Sequence, residues 1–83
     1  MKLVYFAWVK DRVGLAEETL DLPDEVTTVA ALMAWLPQRG ANYAAALKDP
    51  DLIRVAVDQE YAQGDRILAG AQEIALFPPV TGG

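Results

Sequence analysis

Apolar residues recur along this chain in two rhythms, a period of two at both ends and a helical period between them. From Lys2 to Val9, Leu3, Tyr5, Ala7 and Val9 alternate with Val4, Phe6 and Trp8, which predicts a strand apolar on both faces. Lys10-Asp11-Arg12-Val13-Gly14 reads as a polar turn, with Gly14 free to take a positive φ. Leu15 to Leu22 reads as a second strand with Glu17, Thr19 and Asp21 toward solvent, so the chain is expected to open with a hairpin. Pro23 to Val26 connects, and Thr27 or Thr28 is placed to cap a helix. Val29, Leu32, Met33 and Leu36 then fall at i, i+3, i+4 and i+7, an apolar stripe fit to lie on a sheet, with Trp35 at its edge. Pro37 ends that helix and Gly40 completes the exit. Ala41 to Lys48 predicts a short second helix through Tyr43, Ala44 and Leu47, stopped by Asp49-Pro50-Asp51.

Alternation returns at Leu52 to Val57, where Ile53, Val55 and Val57 point inward and Arg54 and Ala56 outward. Asp58-Gln59 turns the chain into a short extension, Glu60-Tyr61-Ala62, and Gln63-Gly64-Asp65 turns it again. Ile67 and Leu68 are expected to tuck a loop beneath the sheet, and Gly70-Ala71-Gln72 leads into a last strand, Glu73 to Phe77. In that strand Ile74 and Leu76 face the core and Ala75 and Phe77 face out. This order predicts an α+β roll of the β-grasp type over residues 1–77, a mixed sheet packed on one main helix. First and last strands are commonly central neighbours in such a roll. Phe6 and Phe77 are then expected side by side on the open face, near Tyr61, as an aromatic docking surface. The competing expectation is that the second helix or a loop covers these rings.

Composition narrows the chemistry. At 83 residues and 53% hydrophobic, the chain suits one small domain and is too short for two. It contains no cysteine and no histidine, which removes disulfides, thiolate metal sites, a cysteine nucleophile and the usual general base. No metal site is expected. Seven basic residues against twelve acidic ones give a net charge of −5, which argues against a nucleic-acid partner and suits a basic partner surface as well as simple solubility. No apolar run is long enough to cross a membrane, and Lys2 leads into strand sequence rather than a signal peptide, so a cytoplasmic location is expected.

The last residues change the picture most. Phe77-Pro78-Pro79-Val80-Thr81-Gly82-Gly83 follows directly on an apolar strand. Each proline fixes φ near about −65° and lacks an N–H, and Pro79 and Pro78 hold the residues before them extended. Residues 78–83 are thus expected to leave the body as a polyproline-like arm reaching at most roughly 20 Å. Gly82 and Gly83 make the tip thin enough for a narrow channel. A carboxylate on Gly83 is inert until activated; as an acyl-adenylate it can be attacked by an amine, a thiol or a persulfide.

The ending Leu76-Phe77-Pro78-Pro79-Val80-Thr81-Gly82-Gly83 resembles that of the small subunit of molybdopterin synthase, a ubiquitin-like sulfur carrier. The opening Phe6-Ala7-Trp8-Val9-Lys10-Asp11-Arg12-Val13-Gly14 is similar to that family's first strand and turn. Two departures lie in turns: Gly70-Ala71-Gln72-Glu73 where the family commonly has Asp-Gly-Asp-Glu, and Asp58 where it often has Asn. The resemblance implies that an adenylating enzyme consumes ATP to activate Gly83 and that a sulfur donor protein converts it to a thiocarboxylate. It further implies that the tail enters the synthase's large subunit, in a heterotetramer, and gives sulfur to cyclic pyranopterin monophosphate. The small subunit itself then needs no bound cofactor and no catalytic machinery of its own. Three other readings remain at this point: a carrier for thiamine thiazole synthesis, a ubiquitin-like protein modifier, and a non-covalent interaction domain with an inert diglycine.

Overall fold

The computed structural model describes residues 1–79. Its strands are β1 (Lys2–Tyr5), β2 (Glu17–Thr19), β3 (Arg54–Val57), β4 (Glu60–Ala62) and β5 (Glu73–Phe77). They form one mixed sheet in the order β2-β1-β5-β3-β4, so first and last strands are central neighbours, as the pattern predicts. β1 and β5 run parallel with Tyr5 opposite Leu76, while β5 and β3 run antiparallel with Arg54 opposite Phe77. One face is buried through Leu3, Tyr5, Val55, Val57, Ile74 and Leu76. The other carries a cross-strand row, Val4, Ala75, Ala56 and Tyr61, on β1, β5, β3 and β4.

The core face is covered by α1 (Ala7–Val13), α2 (Val29–Trp35) and α3 (Ala41–Ala46), with single 3₁₀ turns at Leu36–Arg39 and Pro50–Leu52. The expected stripe on α2 is buried at Val29, Leu32 and Leu36, with Met33 at its margin. Thr28 is the cap: its Oγ1 accepts the Ala31 N–H at 3.1 Å, satisfying one of the orphan donors of the first turn. Pro37 does not stop the chain at once but sits inside the 3₁₀ turn that tightens the helix end.

The opening hairpin is the main correction. β1 ends at Tyr5, and residues 7–13 are helical where the alternation predicts strand and turn. Leu3, Tyr5, Ala7 and Val9 fit a period of two, yet Val9 and Val13 also stand at i and i+4, and both are buried. Packing against α3 selects the helical solution, and the Asn42 side chain donates to the Val13 carbonyl at 2.7 Å across that contact. Valine and tryptophan form helix poorly by themselves, so tertiary contact overrides propensity here. Gly14 does take positive φ, 92°, but as the left-handed helix cap whose N–H reaches the Lys10 carbonyl. β1 and β2 still pair antiparallel, joined through this helix, and β2 is only three residues long. A second correction concerns the loop after β4: Leu68 is buried as expected, but Ile67 stays 58% exposed.

β3 and β4 are joined by a two-residue turn in which Asp58 and Gln59 both have positive φ, 49° and 70°. This is the turn type whose twist matches flanking strands, and it normally prefers Asn and Gly. The Asp58 carboxylate accepts the Gln72 and Glu73 N–H groups at 2.9 Å each, and those two bonds hold its carboxyl below the usual carboxylate range. The two turns that depart from the resembled pattern are therefore bonded to each other. Gln59 gains nothing comparable from its left-handed conformation. Gln59→Gly is expected to raise the urea midpoint, stabilising the domain by about 0.5–1 kcal/mol. An unchanged or lower midpoint would show that the turn carries no conformational cost.

Candidate functional site

β5 brings Phe77 to the end of the sheet where the tail begins, and Pro78 and Pro79 follow it, both half-buried. Alternation along β5 puts Ile74 and Leu76 into the core and Phe77 on the opposite face. There its ring packs on that of Tyr61, with centroids 5.7 Å apart and planes tilted by 55°. Tyr61 is 73% exposed, so neither helix nor loop covers it. Phe6 follows the last residue of β1, and its N–H donates to the Leu76 carbonyl at 3.1 Å, which sets its backbone beside Phe77. It is 49% exposed and forms the N-terminal boundary of α1. Among the described residues the ring pair is Tyr61 with Phe77, and Phe6 stands as their neighbour on the face rather than in ring contact. Val80, Thr81, Gly82 and Gly83, the rest of the expected arm, lie outside the described residues.

A cluster beneath this face fixes the end of β1. Glu18 on β2 points to the core side, opposite Leu3. Tyr5 and Tyr43 each donate their hydroxyl to Glu18 Oε2 at 2.7 Å. Arg39 Nη1 donates to Glu18 Oε1 at 2.8 Å and to the Tyr43 hydroxyl at 3.0 Å. Burial of Glu18 works against its charged form, but the bonds from Arg39, Tyr43 and Tyr5 outweigh it and hold the carboxyl below its ordinary value. Burial and the same carboxylate push the Tyr5 hydroxyl far above the usual tyrosine range, so it remains a donor. Because Tyr5 immediately precedes Phe6 and faces Leu76, the cluster seats the strand pair from which Phe6 and Phe77 project. Nothing in the local pattern signals it, since its members are 13 to 25 residues from Glu18.

The site is open rather than enclosed. A groove of about 690 Å³ runs between α2 and the β3–β4 edge, with Val29, Met33, Arg54 and Tyr61 among its walls. Among the described residues, no group of three or more acidic, histidine or cysteine side chains is placed to hold a metal ion. Among the same residues no helix is long and apolar enough to cross a membrane. What the arrangement offers is a surface: an aromatic pair at the point where a proline-stiffened segment leaves the central strand.

A mixed five-stranded sheet gripping helices, with parallel first and last strands at its centre, defines this molecule as an α+β, ubiquitin-like β-grasp protein. The crystal structure of SAMP1 from Haloferax volcanii has the same fold, with a TM-score of 0.71 at 28% identity over 100% of this chain and 98% of that one. The chain belongs to the ThiS family, whose model matches residues 3–83. Similar sequences include the molybdopterin synthase sulfur carrier subunit of Escherichia coli, 35% identical over 83 residues that cover 100% of this chain and 99% of that protein. The protein of the same name from Caenorhabditis elegans is 38% identical over 85 residues, covering 100% and 96%.

Proposed function

We propose that this chain is the sulfur carrier subunit of a molybdopterin synthase and that Gly83 is the residue that carries the sulfur. The observation that carries the reading is the run Leu76-Phe77-Pro78-Pro79-Val80-Thr81-Gly82-Gly83, issuing from the central strand beside the Tyr61–Phe77 pair. A chain without cysteine has no thiol on which to hold transferable sulfur, so an activated terminal acyl group is the fitting place. An adenylating partner joins the Gly83 carboxylate to AMP, releasing pyrophosphate from ATP. A persulfide sulfur from a donor protein then attacks the acyl carbon and AMP leaves with the displaced oxygen. Reductive cleavage of the resulting acyl disulfide by a thiol leaves the Gly83 thiocarboxylate. The loaded tail enters the large subunit, in an assembly of two large and two small subunits, and delivers sulfur to cyclic pyranopterin monophosphate. The domain's own part is to present the tail: Phe6, Tyr61 and Phe77 dock the body, Pro78 and Pro79 stiffen the exit, and Gly82 and Gly83 keep the tip narrow.

The test is the mass of the protein isolated from cells. Gly83 is expected at the C-terminus, with a fraction of molecules heavier by about 16 Da from sulfur replacing oxygen. Oxidation of Met1 or Met33 adds nearly the same mass, so the shift must be found on the tryptic peptide 67–83, which contains no methionine. A shift confined to methionine peptides in cells making molybdopterin would overturn the reading. Conjugates joining Gly83 to lysines of other proteins would point to modifier chemistry instead.

A further inference from the structure

Arg54 is the residue of the docking face that the aromatic pattern does not announce. It lies directly across from Phe77 in the β3–β5 register, and it lines the same groove as Tyr61. Alternation turns it outward, and it is exposed. Among the described residues no carboxylate lies within ion-pair distance of it, whereas Lys2 and Arg39 are both paired with glutamates. Among the same residues Lys10, Arg12, Lys48 and Arg66 also lack a carboxylate partner; Arg12 lies over the Trp8 ring, 4.5 Å from its centroid, but none of the four faces an aromatic residue across a strand pair.

Its side chain is nevertheless held. Nη1 donates to the Asp51 carbonyl at 3.0 Å and lies 3.5 Å from the Ile53 carbonyl. Both are backbone oxygens, so the positive charge is oriented without being neutralised. A guanidinium has five N–H donors in a planar fork, and those not turned to these carbonyls remain for a two-oxygen acceptor. Holding the stem in advance lowers the ordering cost of forming such a pair. An arginine beside tyrosine and phenylalanine is also the composition that dominates binding energy at protein interfaces.

We propose that Arg54 is a specificity-determining residue of this surface, forming an ion pair with a carboxylate of the synthase large subunit that docks on Tyr61 and Phe77. The inference rests on the carrier reading above and names the chemistry its partner must present: an acidic side chain bordering an aromatic-binding patch. In a protein of net charge −5, a partner chosen by overall charge alone would be basic. Arg54 therefore imposes a local requirement opposite in sign to the global one, a device that rejects indiscriminately basic surfaces.

Binding of the full chain to purified large subunit, measured by calorimetry at low and high salt, tests this. Arg54→Ala is expected to weaken binding at least about tenfold and Arg54→Glu at least about a hundredfold, with urea midpoints unchanged. Arg54→Lys keeps the charge but not the fork and is expected between wild type and alanine. The wild-type advantage over Arg54→Ala should shrink in high salt, which a purely packing role would not produce. Phe77→Ala serves as the reference and is expected to cost at least about thirtyfold. If Arg54→Glu binds within about twofold of wild type while Phe77→Ala is weakened, Arg54 has no such role and the docking face stands. If neither change matters, or wild type does not bind, the docking reading itself falls and this inference with it.

Discussion

A chain lacking Gly83, or carrying one residue beyond it, is expected to lose sulfur loading entirely while unfolding at the wild-type urea midpoint. The proposed adenylation requires a free carboxylate at one fixed distance from the docked body, and either change moves it by about 3.5 Å along an extended chain. Active sites lose large factors of rate from displacements near 1 Å, so a shift several times larger leaves no productive geometry. Stability should be untouched because, among the described residues, the last buried one is Leu76, and Gly83 lies six positions beyond the end of β5 at Phe77. Incubation with the adenylating enzyme, ATP and a persulfide donor, followed by mass measurement of peptide 67–83 or its altered form, reads the loading directly. Wild-type loading of either variant would remove Gly83 from its assigned role.

The largest effect on stability is expected at Glu18. Replacing it with alanine strips one acceptor from two buried tyrosine hydroxyls and the counter-charge from Arg39. Tyr5 is 2% exposed and Tyr43 7%, so water does not readily replace the lost partner, although Arg39 and Tyr43 keep their mutual bond. Leaving such donors unsatisfied is expected to cost about 3 kcal/mol, a large share of a small domain's stability. The cost should depend on pH in a defined direction. Because the folded carboxyl is held below its ordinary value of 4.5, the unfolded chain binds more protons in the acid range. Its stabilising contribution is therefore full above that ordinary value and is lost as pH falls through the depressed folded value. Urea unfolding of wild type and Glu18→Ala should show a gap at pH 7 that narrows toward pH 3. A gap below about 1 kcal/mol at pH 7, or one that does not change with pH, would mean that the cluster is incidental to stability.

The consequence extends to the proposed docking face. Glu18 holds Tyr5, Tyr5 ends β1, and β1 and β5 together place Phe6 and Phe77. Variants at Glu18 should therefore weaken partner binding indirectly, while variants at Arg54 act by contact. Only the first kind should be accompanied by a lower unfolding midpoint.

Much of this arrangement is legible in the chain itself. Alternation at Ile53, Val55 and Val57 and at Ile74 and Leu76 states which faces of β3 and β5 are buried, because a period of two leaves no other solution once one face is apolar. The stripe on α2 and the cap at Thr28 are equally local, and the chemistry proposed for the tail likewise rests on the identity and order of residues 76–83. Outward placement of Phe77 and Arg54 follows from the same alternation, whereas the face of Tyr61 is set by its pairing with Ala56. Tertiary structure alone decided the rest. Residues 7–13 satisfy both a strand and a helix pattern, and contact with α3 chose the helix. Glu18 reads as one more polar residue in a short strand until folding brings Tyr5, Arg39 and Tyr43 around it. Whether Arg54 would find an acid of its own was likewise open, for Asp51 stands only three residues away and offers its carbonyl instead. Local pattern determines which way a side chain points, since that depends on neighbours in the chain. Which partner it meets depends on residues distant in sequence, and that is settled only when the sheet and helices close.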